Sequence, residues 1–161
     1  MNDRLEGHPN LFILKALTKS FALPGVRIGY CLSSDQTLLA AMAHSVQPWN
    51  VSVFAQAAVP AALRETAYLE ESVRLIERER EYLTEALGTL GFTVCPSDAN
   101  FILFRGRAEL DTSLRKQGIA IRNCGNFPGL DPCWYRVAVR LHEENEELIR
   151  EMRNQESGIR N

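Results

Sequence analysis

The segment LTKSFALPGVRIGY, residues 17–30, is the most informative part of the sequence for predicting the fold. One short apolar run precedes it and a second overlaps its end. Apolar runs of this length, bounded by turn residues, are typical of buried strands. We therefore predict strands at residues 10–15 and 26–32, joined by an irregular loop at 16–25. Loops anchored on core strands are where functional residues collect.

The loop contains groups suited to an aldehyde cofactor that carries a phosphate. Lys19 supplies an amine, which is a nucleophile toward aldehydes where it is desolvated. Arg27 is a permanent cation that can bind a phosphate through two hydrogen bonds, and the Thr18 hydroxyl can donate to the same phosphate. On spacing alone, a plain strand–turn–strand with a solvated Lys19 and Arg27 is the simpler explanation. Lys15, at the end of the first strand, is interpreted as solvated.

Two stretches carry a family resemblance. The loop resembles the cofactor-lysine segment of fold-type I pyridoxal-phosphate enzymes, whose aminotransferase branch has the pattern S/T-K-x-x-x-x-x-G-x-R-x-G. GIAIRNCGNFPGL at 118–130 and YRVAVR at 135–140 are similar to threonine-phosphate decarboxylases of cobalamin biosynthesis and to the related histidinol-phosphate aminotransferases. The resemblance implies an α/β fold class. The chain would form the C-terminal part of the fold-type I transferase fold, with the end of the large-domain sheet and a small α+β domain.

The resemblance also implies a cofactor and the residues that bind it. The cofactor is pyridoxal 5'-phosphate, Lys19 is the catalytic residue, and Thr18, Lys19 and Arg27 bind the cofactor. The implied reaction is the decarboxylation of L-threonine O-3-phosphate to aminopropanol phosphate by a lyase. A histidinol-phosphate-type aminotransferase and a non-catalytic truncated remnant both stay open as alternatives.

Three arginines are candidates for binding the substrate. The resemblance implies that Arg136 grips the substrate carboxylate and that Arg122 is the additional arginine expected for a phosphorylated amino acid. Arg140 is either a further substrate contact or a structural ion pair. Strand alternation predicts that Arg136 and Arg140 point the same way. From the residues alone, surface ion pairs with Glu143, Glu144 or Asp131 explain these arginines equally well.

Family members have roughly twice this length, in line with a large domain and a smaller one. We therefore expect the 161-residue chain to start just before the cofactor lysine, without an N-terminal half. The full-length family is expected to form homodimers. Strands without their neighbours leave open edges, so the isolated chain is expected to be poorly soluble or to self-associate.

Composition excludes few classes but favours an ordinary soluble protein. The chain is 45% hydrophobic and 24% charged, and its net charge is −2, which gives no reason to propose a nucleic-acid or membrane partner. It has no apolar segment long enough to span a bilayer and no signal-peptide pattern, so a cytoplasmic location is expected. Its four cysteines are scattered, and no metal site is expected.

A long amphipathic helix organises the middle of the chain. Apolar residues at helical spacing predict a helix over 68–90, with the Glu- and Arg-rich remainder on its solvated face. The domain boundary is predicted near residue 80, which gives domains 1–80 and 81–161. The second domain is predicted as β-β-α-β-β-α, with its third strand at 119–121. Trp49, in a turn, is predicted to be packed.

Overall fold

The computed structural model describes the backbone of residues 5–159 and the side chains of residues 5–155. The chain divides into two compact units between Glu70 and Glu71. This division lies inside the long helix in which the sequence places a boundary near residue 80, and the assignment of domains 1–80 and 81–161 stays a prediction. None of the described helices combines the length and apolar character that crossing a bilayer requires.

The first unit contains a two-stranded antiparallel sheet and short helices. Its elements are β1 (Phe12–Ala16), α1 (Leu17–Ser20), β2 (Gly29–Ser33), α2 (Gln36–Ser45) and α3 (Val53–Ala62). Ile13 of β1 lies opposite Leu32 of β2. The two predicted strands therefore exist, with their bounds shifted by one to three residues. The lysine loop is less irregular than predicted, because α1 adds one helical turn directly after β1.

Side-chain caps fix where the helices of the first unit begin. Asp35 accepts a hydrogen bond from the Leu38 backbone N at 2.9 Å, and Ser52 accepts one from the Ala55 backbone N at 3.2 Å. These contacts satisfy backbone N–H groups that have no partner within the first helical turn. Asp35 thus starts α2, and Ser52 starts α3.

Trp49 differs from its predicted environment. The residue lies in the turn between α2 and α3, has a backbone φ of +63°, and its side chain is 94% exposed. No described residue covers the indole, so the prediction of a packed side chain is wrong. A turn signal locates such a residue in the chain but does not supply a surface against which it can pack.

The second unit is a four-stranded antiparallel sheet with three helices. Its elements are the part of α4 (Thr66–Thr89) that follows Glu70, then β3 (Thr93–Val94), β4 (Phe101–Arg105), α5 (Leu110–Arg115), β5 (Arg122–Asn123), β6 (Trp134–Ala138) and α6 (His142–Ile159). The strand order is β3-β4-β6-β5. The predicted element order is correct, but the predicted strand at 119–121 is not. The Ile119 backbone N donates to the Leu114 carbonyl at 3.0 Å as part of the C-terminal end of α5. The pairing of β5 with β6 therefore begins only at Arg122.

Alternation along β4 and β6 gives the sheet one buried and one open face. Ile102, Phe104, Tyr135 and Val137 are at most 4% exposed and form the core together with apolar side chains of α4, α5 and α6. The Tyr135 hydroxyl donates to the Arg107 carbonyl at 2.9 Å, which satisfies a buried polar group. Residues of the opposite parity lie on the other face, where the arginines of the candidate site are found.

Candidate active site

The cofactor-lysine loop is anchored by a buried leucine at the start of α1. Leu17 is 2% exposed, its backbone N donates to the Ile28 carbonyl at 3.4 Å, and its carbonyl accepts from the Leu23 backbone N at 3.4 Å. Thr18 and Lys19 follow at once on α1, with Thr18 half-buried and Lys19 exposed. The lysine amine is therefore held on a short ordered segment. It is not desolvated in this structure, in contrast to the expectation for a nucleophilic lysine.

The arginine of the same loop has a constrained backbone. Arg27 has a φ of +54° and Ala22 a φ of +50°, a region that residues with a side chain seldom adopt. The Arg27 Nη1 donates to the Pro24 carbonyl at 3.2 Å, which fixes the direction of the guanidinium. Such left-handed residues cluster at ligand-binding sites, where the surrounding structure maintains the strain.

One glycine of the motif has a steric role. A Cβ on Gly29 would meet the Lys15 carbonyl oxygen at 2.7 Å, closer than real Cβ contacts. Gly29 pairs with Ala16 at the point where β2 leaves the lysine loop. A side chain there would push the two strands apart and displace α1, which carries Lys19.

The chemistry of the loop fits pyridoxal 5'-phosphate. A primary amine suits the cofactor's aldehyde, and the Arg27 guanidinium and Thr18 hydroxyl suit its phosphate. All three groups lie on the one loop between β1 and β2. Their assignment as cofactor-binding residues remains a prediction that this donor set supports.

Two of the predicted substrate arginines are brought together on the open face of the second sheet. Arg122 of β5 lies directly opposite Arg136 of β6, so their Cα atoms are about 4.5–5.5 Å apart. Both residues are exposed. The Arg136 guanidinium lies 4.9 Å from the centre of the Phe101 ring, and the Arg122 Nη2 donates to the Asn126 Oδ1 at 3.1 Å. Within the described part of the chain, neither arginine has a carboxylate partner.

Two other arginines of this unit are neutralised. The Arg105 Nη2 lies 3.0 Å from the Asp131 Oδ2, and the Arg140 Nη2 lies 2.5 Å from the Glu144 Oε1. A hydrogen bond from the Cys133 backbone N and the adjacent Arg105 guanidinium lower the pKa of Asp131.

β6 ends at Ala138, so Arg140 lies beyond the strand that carries Arg136. That the two side chains point the same way stays a prediction. Arg140 forms an ion pair with Glu144, which is one of the two roles that the sequence allows for it. Its assignment as a substrate contact stays a prediction.

A buried acid links α4 to α6 away from the arginine face. Glu79 is 1% exposed, and its carboxylate accepts from the His142 Nδ1 at 2.9 Å, from the Asn145 Nδ2 at 3.1 Å and from the Arg78 Nε at 3.2 Å. Burial raises the pKa of Glu79, but these hydrogen bonds outweigh it and leave the pKa below its usual value. The same contact raises the pKa of His142. The placement of Glu79 on a solvated face of the helix is therefore wrong.

Sequence reasoning also missed the partners of the two arginines. The spacing between Arg122 and Asn126 signals a local contact, but the Phe101–Arg136 contact depends on the register of β4 against β6 and has no sequence signal. No group of three or more His, Cys, Asp or Glu side chains among the described residues could hold a metal ion.

Comparison with known proteins places the chain among pyridoxal-phosphate enzymes. The threonine-phosphate decarboxylase of Salmonella typhimurium is 38% identical over 159 residues, which are 96% of this chain and 44% of the relative. The solved histidinol-phosphate aminotransferase of Clostridium acetobutylicum matches with a TM-score of 0.90 at 35% identity, over 97% of this chain and 48% of that one. That of Sinorhizobium meliloti, solved in complex with pyridoxal-5'-phosphate, matches with a TM-score of 0.73 at 27% identity, over 91% of this chain and 42% of that one.

These matches confirm the predicted fold class and its assignment to part of the fold-type I transferase fold. The chain spans less than half the length of the relatives it matches. The cofactor of the family is pyridoxal 5'-phosphate. The family model for class I and II aminotransferases matches residues 2–152. The chain belongs to the class I and II aminotransferase family.

Proposed function

We propose that this chain carries the cofactor lysine and the substrate-anion receptor of a pyridoxal-phosphate-dependent threonine-phosphate decarboxylase. The observation that carries the proposal is the Arg122–Arg136 pair on paired strands, exposed and without a carboxylate partner among the described residues. Two adjacent guanidinium groups form a receptor for a ligand with two anionic groups. A phosphorylated amino acid has a phosphate and a carboxylate, and the 38% identical decarboxylase relative supports threonine phosphate.

Each residue of the proposed site has a physical task. Lys19 would hold the cofactor by condensation of its amine with the aldehyde, which releases water, and the substrate amine would displace Lys19. Lys19 or water would then supply the proton that takes the place of the departing carbon dioxide at Cα. Arg27 and Thr18 bind the cofactor phosphate. When bound, the cofactor supplies an electron sink for the electron pair released at Cα. Arg122 and Arg136 orient the substrate, which determines whether the carboxylate or the hydrogen at Cα departs.

The first experiment asks which lysine binds the cofactor. The purified chain is incubated with pyridoxal phosphate, reduced with borohydride and digested, and the labelled peptide is identified by mass spectrometry. We expect the label on Lys19, its loss in K19A, and its retention in K15A, which removes the neighbouring lysine of β1. A label that is absent, or that survives in K19A, would contradict the proposal and favour a non-catalytic remnant.

A second candidate is a histidinol-phosphate-type aminotransferase, which the Clostridium acetobutylicum structure favours through its TM-score of 0.90. The two activities would use the same residues and differ in which bond at Cα is cleaved. The products separate them: O-phospho-L-threonine yields carbon dioxide and aminopropanol phosphate by decarboxylation. Transamination yields a keto acid and leaves the amino group on the cofactor.

The proposal includes a cytoplasmic location and a homodimer completed by an N-terminal half. Exposed apolar side chains in the first unit support a further packing partner, since Trp49 is 94% and Phe54 is 85% exposed. Co-expression with the N-terminal half of the decarboxylase relative would test this. A stable complex with decarboxylase activity is the expected result, and chains that stay separate would contradict it.

A further inference from the structure

The arginines of the second unit are held in two chemically different ways. Arg105 and Arg140 contact carboxylates, those of Asp131 and Glu144. Arg136 instead lies over the face of the Phe101 ring, 4.9 Å from its centre. Arg122 donates to a neutral amide oxygen, that of Asn126, at 3.1 Å. The two arginines that face each other across β5 and β6 thus both have neutral partners. Elsewhere in the unit, Arg80 and Arg107 also donate to neutral oxygens, those of Ala99 and Gln155.

The chemistry of these partners has a consequence for charge. A carboxylate cancels the charge of a guanidinium, whereas an aromatic ring or an amide oxygen attracts the cation and leaves its full charge in place. Like charges directly opposite each other on neighbouring strands repel. The sheet therefore keeps two uncancelled positive charges side by side, an arrangement that a bound anion relieves.

The partners also affect the entropy of binding. A free arginine side chain samples many rotamers, and a ligand that immobilises it must overcome that loss. Phe101 and Asn126 restrict the two guanidinium groups before any ligand arrives, so less freedom is lost on binding. Asn126 lies in the loop that follows β5, four residues after Arg122, while Phe101 comes from strand β4, which pairs with the strand of Arg136.

We propose that Phe101 and Asn126 are positioning residues, which hold Arg136 and Arg122 with neutral groups and so keep both charges available for a doubly anionic amino acid. This inference rests on the proposed function for the identity of the ligand. The restricted mobility of the two guanidinium groups, which the inference also requires, can be measured without any ligand. A ligand with both a phosphate and a carboxylate gains affinity from both arginines, whereas a ligand with a single anionic group gains affinity from one of them.

The first test measures arginine mobility in the free chain. Nitrogen-15 relaxation of the arginine Nε groups is recorded for the 161-residue chain and for F101L and N126A. We expect the order parameter of Arg136 to fall in F101L and that of Arg122 to fall in N126A, while Arg105, held by Asp131, is unchanged in both. The matched controls are F127L, an exposed phenylalanine of the same unit, and N154A, an exposed asparagine of α6. Unchanged mobility of Arg136 in F101L and of Arg122 in N126A would overturn the inference.

The second test measures binding of O-phospho-L-threonine by calorimetry. We expect about a two- to fivefold loss of affinity in F101L, the range expected for an exposed cation–π contact. N126D keeps a hydrogen-bond acceptor for Arg122 but adds a negative charge, and we expect it to lose more affinity than N126A. L-Threonine, which lacks the phosphate, should bind weakly to every variant. Equal affinities for N126D and N126A would overturn the requirement for a neutral partner.

The two tests separate the inference from the proposed function. If the wild-type chain bound no phosphorylated amino acid, the proposed function would fail at this site, and the mobility measurements would still decide whether Phe101 and Asn126 position the arginines. If the wild type bound the ligand but F101L and N126A bound it equally well, the positioning role would fail and the proposed function would stand.

Discussion

The two units of the chain bury very different amounts of apolar surface. In the first unit, the buried hydrophobic residues among those described are Ile13, Leu17 and Ala55. The second unit has a continuous core that includes the fully buried Leu83 and Phe104. Burial of apolar surface is the main favourable term in folding. Among the described residues, the second unit therefore has much the larger favourable contribution from burial of apolar surface.

The first unit also has several large apolar side chains that are exposed. Leu14, Trp49, Val53 and Phe54 are each at least 76% exposed. The first unit thus exposes several large apolar side chains and buries few, although it contains the motif that is the more readily identified in the sequence.

The largest expected effect is on the core of the second unit. Leu83 is fully buried on α4, and we expect L83A to lower the free energy of unfolding by about 2–5 kcal/mol through lost burial and a cavity. V53A, at a residue of the first unit that is 78% exposed, should change it by less than about 0.5 kcal/mol. Urea denaturation followed by circular dichroism measures both. Similar effects of the two substitutions would remove the distinction between the units.

The next effect concerns the buried acid that links α4 to α6. E79A removes one of the two acceptors of the buried Asn145 Nδ2, which keeps its hydrogen bond to the Arg140 carbonyl, and should lower the free energy of unfolding by about 1–3 kcal/mol. E77A, at an exposed glutamate of the same helix, is the matched control and should change it by less than about 0.5 kcal/mol. The same urea titrations apply. An E79A variant as stable as E77A would mean that the hydrogen bonds to Glu79 contribute no net stability.

A pH dependence of stability follows from the same contact. The pKa of Glu79 is below its ordinary 4.5, so its contribution is present above that value and is lost as the pH falls through the folded-state pKa. The pKa of His142 is above its ordinary 6.5, so its contribution is complete below that value and is lost as the pH rises through the folded-state pKa. The stability difference between wild type and H142Q should therefore be largest between these two pH values.

Urea titrations across this range measure that difference. In an E79Q background the dependence on His142 should become much weaker, because Glu146 is then its remaining acidic contact among the described residues. A difference that is constant with pH would show that His142 and Glu79 do not interact as an ion pair in solution.

Substitution of the exposed aromatic residues of the first unit is expected to have the smallest effect on stability. It should nevertheless reduce self-association. W49S and F54S remove side chains that are 94% and 85% exposed, so the free energy of unfolding should hardly change. Sedimentation velocity should show less self-association than in wild type. F127S, an exposed phenylalanine of the second unit, serves as the control. A wild-type chain that is already monomeric would contradict the expected liability.

The sequence predicted local features well and pairings between distant segments less well. Asp35 and Ser52 cap α2 and α3, and capping depends on residues within one turn, which are close together in the sequence. The strand expected at 119–121 is wrong, because the end of α5 and the register of β6 compete for the same backbone groups. Periodicity alone cannot decide such a competition.

Glu79 is the clearest case of a residue whose hydrogen-bonding environment could not be predicted from the sequence. It lies between Ile76 and Leu83 within the apolar stripe of α4, a position that could have signalled burial. An acid can occupy that position because His142 and Asn145, more than sixty residues later, donate hydrogen bonds to it. Nothing near Glu79 in the sequence identifies these donors.

The family, the motif around Lys19 and the order of strands and helices could be predicted from the sequence, since each depends on residues close together in the chain. Which arginines have neutral partners and which pair with a carboxylate depends on the tertiary structure. Arg136 and Arg122 face each other through strand register and have neutral partners, while Arg105 pairs with an acid 26 residues away. Charge cancellation depends on distances of a few ångström between side chains, and such distances are set by folding.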